Sequence, residues 1–142
     1  MLDALKMSLN ATAVLGFLFY IIGAVVLLAL YQFSYTRVTP HKEFALIREG
    51  NTAAAVALAG AVIGFALPVA SVISHSVSLL DFIVWAVIAA VVQLLAFLAV
   101  SLVIKGLPGR IHKGEMAAGI YVAAIAVSVG LLNAACMTPS SI

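Results

Sequence analysis

Charge is what this sequence has least of. Only 8% of its 142 residues are Asp, Glu, Lys or Arg, against 65% hydrophobic ones. Soluble domains carry about 25% charged and about 45–50% apolar residues, so this chain cannot wrap a core in a water-soluble surface. Its length suggests a single domain. A net charge of +2 is too small to imply nucleic-acid binding, and no nucleic-acid partner is expected. There is one cysteine, Cys136, which excludes an intrachain disulfide and a cysteine-pair metal site; it reads as an ordinary buried thiol. The constellations of catalysis are missing too. There are no paired carboxylates in the apolar segments, no nucleophile elbow and no phosphate-binding glycine loop, so neither an enzyme nor a cofactor is expected. His41, Glu43 and His112 share one side of the predicted topology, but the H-x-E spacing is too weak to predict a metal site, and His75 falls on the other side.

What the chain does have is long apolar runs. A membrane-spanning helix needs about 20 consecutive apolar residues. Four stretches qualify, at about 12–31, 52–73, 82–104 and 116–137, and none has an acidic or basic residue in its interior. A soluble bundle would need a polar face on every helix. The fold class expected is therefore an all-α membrane protein with four transmembrane helices in one domain, residues 1–142. The first run is too long for the hydrophobic part of a signal peptide, about 7–15 residues. Tyr31, Gln32 and Phe33 follow it in place of a cleavage site, so it reads as an uncleaved span.

The basic residues orient these spans. Arg37, Lys42 and Arg48 lie between spans one and two, and Lys105, Arg110 and Lys113 between spans three and four. Lys6 alone lies on the opposite side. Basic residues collect on the cytoplasmic side, which predicts both termini outside the cytoplasm and the two basic loops within it. Setting the topology is by itself a sufficient role for those charges; the sharper reading makes them a docking surface for a cytoplasmic partner or for anionic lipid headgroups. Tyr31, Phe33 and Tyr35 would mark the inner boundary of span one, and Phe82 with Trp85 the outer boundary of span three.

An internal likeness runs through the chain. Residues 47–71 and 111–135 share I-x-x-G, then Ala-Ala, at an offset of 64. This predicts a duplicated two-helix unit with both copies in the same orientation. Asn51 or Thr52 is expected to cap span two, and Glu115 to complement the positive end of span four. Gly60-x-x-x-Gly64, extended by Ala53 and Ala57, gives span two a small-residue face that allows close helix approach, either inside the bundle or between copies. Span four is small-residue-rich as well, with Ala117, Ala118, Gly119, Ala123, Ala124 and Gly130. Pro68 removes the helical donor of the Gly64 carbonyl, and Gln93 carries an amide at a similar depth, where an unbonded one is expensive. The expectation is that Gln93 donates to that carbonyl. Asn133, near the outer end of span four, bonds another helix or lines a polar cavity. Ser71, Ser101 and Ser128 are expected to bond their own helices.

Certain of these residues resemble a known family. They are Thr39-Pro40-His41-Lys42-Glu43, Leu46-Ile47 and Asn51-Thr52-Ala53-Ala54, then Gly60, Gly64, Pro68, Asp81, Trp85 and Gln93-Leu94, and the ending Asn133-Ala134-Ala135-Cys136-Met137-Thr138. Together they resemble the YjfL family of bacterial inner-membrane proteins, a domain of unknown function with paired two-helix units. The resemblance implies bacterial inner-membrane residence, with four spans and no catalytic residues to carry over. It also implies genomic neighbours of phage-shock and glutathionylspermidine-synthase-like ligase type, hence a stress or ligase-type cytoplasmic partner. The function expected is a non-enzymatic, homo-oligomeric scaffold or partner subunit in envelope homeostasis. The alternative is an oligomeric channel or transport component for a small ion or solute, motivated by Gln93, Asn133 and the hydroxyls.

Overall fold

A chain this apolar satisfies its backbone in lipid only by closing hydrogen bonds within each segment, which means helices. The computed structural model describes residues 1–38 and 43–137, and every regular element among them is an α-helix. These are α1 (Leu2–Ser8), α2 (Ala11–Val38), α3 (Glu43–Arg48), α4 (Thr52–His75), α5 (Leu79–Val103), α6 (Leu107–His112) and α7 (Met116–Cys136). Helices α2, α4, α5 and α7 are long and apolar enough to cross a membrane. They are the four expected spans. Three match the expected bounds within three residues; the first runs on to Val38, beyond the expected end at Tyr31. Nothing between Gln32 and Val38 is Gly or Pro, and Tyr35 is buried in the bundle, so the helix continues. His41 and Lys42, and Thr138 of the C-terminal motif, lie outside the described residues.

Local chemistry sets where the spans begin. Asn10 Oδ1 accepts the Ala13 N–H at 2.7 Å, Asn51 Oδ1 the Ala54 N–H at 3.0 Å and Ser78 Oγ the Asp81 N–H at 3.1 Å. Each satisfies one of the orphan donors at a helix start. Before α4 and α7 the chain turns a corner twice in the same way. Gly50 and Gly114 adopt φ of +86° and +83°, a conformation favouring glycine. The Gly50 and Asn51 N–H groups bond back to Ile47 and Leu46; those of Gly114 and Glu115 bond back to Ile111 and Arg110. This closes α3 and α6 with the same paired C-terminal bonds. The two short helices, absent from the expected topology, are 64 residues apart, as are the starts of α4 and α7.

Helices α4 and α7 pack side by side in the same direction. Helix α5 packs against both, and α2 against α4 and α5. Helices α3 and α6 sit at the same end of the bundle, against α4 and α7 respectively, and α6 also meets α4. Asn51 ties that end together by donating from Nδ2 to the Ile111 and His112 carbonyls at 3.1 and 3.0 Å. Arg37, Arg48, Lys105, Arg110 and Lys113 all belong to this end. The outer faces of the spans expose Phe17, Ile22, Leu98 and Leu131, as a lipid-facing surface requires.

Candidate functional site at the α4–α7 contact

The centre of the bundle is a backbone contact. Gly60 lies against Ala123, Gly64 against Ala126, and Gly130 against the backbone of Gly64. A Cβ added to Gly119 would meet the Ala53 carbonyl oxygen at 2.5 Å. No side chain larger than a methyl fits along this seam, which is how small residues hold helices together in lipid. The small-residue face of span two is thus used within the chain, and Gly119, Ala123 and Gly130 supply the opposing face. Ala117 and Ala124, on the same helix, are exposed.

Pro68 lies inside α4 and buried, and the Gly64 carbonyl it frees points at the Gly130 Cα. A Cα–H group is a weak donor, and a glycine pair lets it approach where no other residue could. Gln93 does not fill that role, contrary to the sequence expectation. Its Nε2 donates to the Ala126 carbonyl of α7 at 3.1 Å. The amide enters through the notch at Gly64, where an added Cβ would be 2.7 Å from Nε2. Gln93 is 2% exposed, and its Oε1 is buried without a partner among the described residues. It lines a small cavity of about 10 Å³ together with Tyr31, Tyr35, Ala61 and Phe97. That volume is about one water molecule.

Asn133 bonds another helix: its Nδ2 donates to the Ala89 carbonyl of α5 at 3.3 Å. Ser71 departs from the expectation, since its Oγ donates to Ala134 of α7 at 3.0 Å, and not within its own helix. The α4–α7 pairing puts that carbonyl within reach of the hydroxyl. Ser101 and Ser128 do bond their own helices, to Phe97 and Ala124.

Aromatic rings attach α2. Tyr31 stacks on Phe65 of α4 with ring centres 4.4 Å apart, Tyr35 meets Phe97 of α5 edge-on at 5.0 Å, and Tyr20 meets Phe82 edge-on at 5.5 Å. Tyr31, Tyr35 and Phe82 are therefore buried packing groups and not boundary markers. Only Phe33, with Arg37 4.7 Å above its ring, and Trp85 keep an outward place. The basic end adds an ion pair, Arg110 Nε to Glu115 Oε2 at 2.6 Å, between half-exposed side chains. Glu115 begins α7 without a side-chain cap bond, because Arg110 takes its carboxylate. Glu43 is buried at this end. Cys136 is exposed and not buried as expected: the last turn of α7 turns Asn133 and Ala134 toward α5 and α4 and leaves Cys136 outside. Sequence reading missed the bridging role of Asn51 and the packing roles of Tyr31, Tyr35 and Phe65; the repeated glycine before each inner span was the one signal for the corner.

The family described as Domain of Unknown Function (DUF350) matches residues 8–137. The chain is 37% identical over 126 residues to the UPF0719 inner membrane protein YjfL of Escherichia coli (strain K12), covering 89% of this chain and 96% of that protein. It matches the protein of the same name from Escherichia coli O157:H7 to the same extent. No solved structure matches. The chain belongs to the DUF350 family.

Proposed function

We propose that this DUF350 member is a non-enzymatic scaffold or partner subunit of the bacterial inner membrane, homo-oligomeric, and acting in envelope homeostasis or membrane stress. The observation that carries the reading is the filled centre of the bundle. Helices α4 and α7 meet backbone to backbone there, and the amides of Gln93 and Asn133 bond neighbouring helices. A scaffold needs a rigid membrane body and a presented surface, and no path through its middle. The stress setting rests on the family resemblance, and the inner membrane on the likeness to the inner membrane protein YjfL together with the four spans.

The orientation follows the basic residues. Arg37, Arg48, Lys105, Arg110 and Lys113 share the α3–α6 end, which supports an orientation with that end in the cytoplasm and both termini in the periplasm. The same end is the docking surface for a stress or ligase-type partner or for anionic lipid. The matched corners before α4 and α7 support one ancestral two-helix unit used twice. Recovery of a partner from native membranes, with and without charge reversal at Lys42 and Arg48, tests the docking role. Loss of recovery on reversal supports it, and unchanged recovery counts against it.

One observation favours the runner-up, an oligomeric channel or transport component for a small ion or solute. Gln93 Oε1 is buried, without a partner among the described residues, beside a small cavity. Purified protein in liposomes, assayed for ion and polyamine flux in both polarities, separates the readings. The scaffold expects no flux above that of empty vesicles.

A further inference from the structure

How the two halves of this chain meet fixes how two chains can meet. The inner helices correspond at an offset of 64 residues, so residues 52–72 of α4 have register counterparts on α7. Helix α4 presents Ala53, Gly60 and Gly64 to α7, which presents Gly119, Ala123, Ala126 and Gly130 in return. Those four are the counterparts of Ala55, Ala59, Val62 and Ala66. They are not the face that α4 itself uses, but one displaced by two residues, about 200° round a helix of 3.6 residues per turn. Halves related by a two-fold axis along the membrane normal would present the same face to each other. Opposite faces mean that the second unit is set beside the first by translation. The packing agrees: α5 lies against α7 as α2 lies against α4, and α2 packs on α5 rather than on α7 in the main contacts.

A translational contact is heterologous, and each chain keeps one unused copy of both halves. On α7 the counterparts of Ala53, Ala57, Gly60 and Gly64 are Ala117, Tyr121, Ala124 and Ser128, and all four are exposed. On α4 the face Ala55, Ala59, Val62 and Ala66 is partly or wholly exposed.

The cavities repeat the same relation independently. Within the chain, Gln93, Ala96, Phe97 and Val100 of α5 line the small cavity covered by Tyr31, Tyr35 and Ala61 of the preceding unit. Their counterparts on α2 are Ala29, Gln32, Phe33 and Thr36. These line an open groove of about 480 Å³, where no unit precedes. Phe97 is buried, whereas its counterpart Phe33 is 55% exposed. The groove is the same site with its cover missing.

We infer that a second copy of this chain supplies the cover: the α5–α7 edge of one copy docks head-to-tail on the α2–α4 edge of the next, continuing the internal contact between units. This rests on the homo-oligomeric reading and specifies its interface. Ala124 of one copy meets Ala59 of the next, as Gly60 meets Ala123 inside the chain. Leu95 and Ala99, counterparts of Tyr31 and Tyr35, enter the Phe33 groove. A repeat of the contact closes a ring or extends a row.

Cysteine cross-linking in native membranes tests it, with Cys136→Ser as background. Copies carrying Ala124→Cys and copies carrying Ala59→Cys, expressed together, are expected to give an oxidised dimer. Either variant alone is expected to give none, and adding Ala55→Leu to the Ala59→Cys copies is expected to remove it. Dimers from Ala124→Cys alone would overturn the inference in favour of a symmetric interface. A purified oligomer, seen by native mass in nanodiscs, that lacks the mixed cross-link would overturn the inference and leave the oligomeric reading standing. A monomer by both measurements would overturn both.

Discussion

Helices α4 and α2 are both long apolar spans, yet half of the α4 window (50%) is buried inside the protein and only 6% of the α2 window. The difference lies in residue size at the contact. Helix α4 meets α7 through glycines and alanines, so backbones touch along four successive positions. Helix α2 meets its neighbours through rings, at Tyr20, Tyr31 and Tyr35, which hold helix axes apart and leave most of its surface to lipid. In a bilayer the apolar solvent offers no hydrophobic drive for helices to associate. Close approach and directed polar bonds decide which pair is the core, and α4–α7 has both.

Mutations should break the two contacts to different degrees. The largest effect is expected for Gly64→Leu, which drives a side chain into the Ala126 carbonyl and Gln93. Overpacking a filled interior costs roughly 1–3 kcal/mol, occasionally more, and this seam has no flexible neighbour to yield. Unfolding titrations in bicelles should show a loss of about 3 kcal/mol. Tyr31→Ala comes next. It removes the stack on Phe65, and aromatic pairs contribute about 0.5–1.5 kcal/mol beyond area. Proteolysis or hydrogen exchange should then find α2 opening while α4, α5 and α7 stay protected; equal loosening of all four helices would contradict the division drawn here.

Gln93→Leu should be milder, at about 0.6–1.7 kcal/mol, the range for interhelical bonds in membranes. Since Gln93 bonds Ala126 and not the carbonyl freed by Pro68, combining it with Pro68→Ala should give additive losses. Recovery in the double variant would restore the link expected from sequence. Arg110→Ala should be smallest. Its pair with Glu115 is half exposed, where ion pairs contribute about 0.2–1 kcal/mol, and the midpoint of unfolding should move within error in 0.5 M salt, a condition of roughly 4–5 Å screening length.

The spans, their number and the small-residue character of the second and fourth were legible in the sequence, because lipid imposes length and composition directly. So was the capping role of Asn51. The facing of the helices was not. A span that is apolar all round carries no polar stripe to say which side turns inward, so Gln93 could be placed at a depth but not aimed at Ala126. Tyr31 and Tyr35 misled for the same reason: an aromatic near a membrane boundary fits headgroups and a helix interface equally well, and only Phe65 and Phe97 decide between them. Ser71 and Cys136 were misplaced because their surroundings depend on how far α7 runs alongside α4.

The central claim is that one kind of contact is made inside the chain and its counterpart is left open for another copy. Gly60→Leu and Ala124→Leu test it together, because the two positions are register counterparts. The measurement is native mass in nanodiscs alongside the unfolding midpoint of the monomer in detergent. Gly60→Leu should lower the midpoint sharply, whereas Ala124→Leu should leave it in place and dissolve the oligomer. An Ala124→Leu protein that unfolds as readily as Gly60→Leu, or one that keeps its full oligomeric mass, would contradict the account.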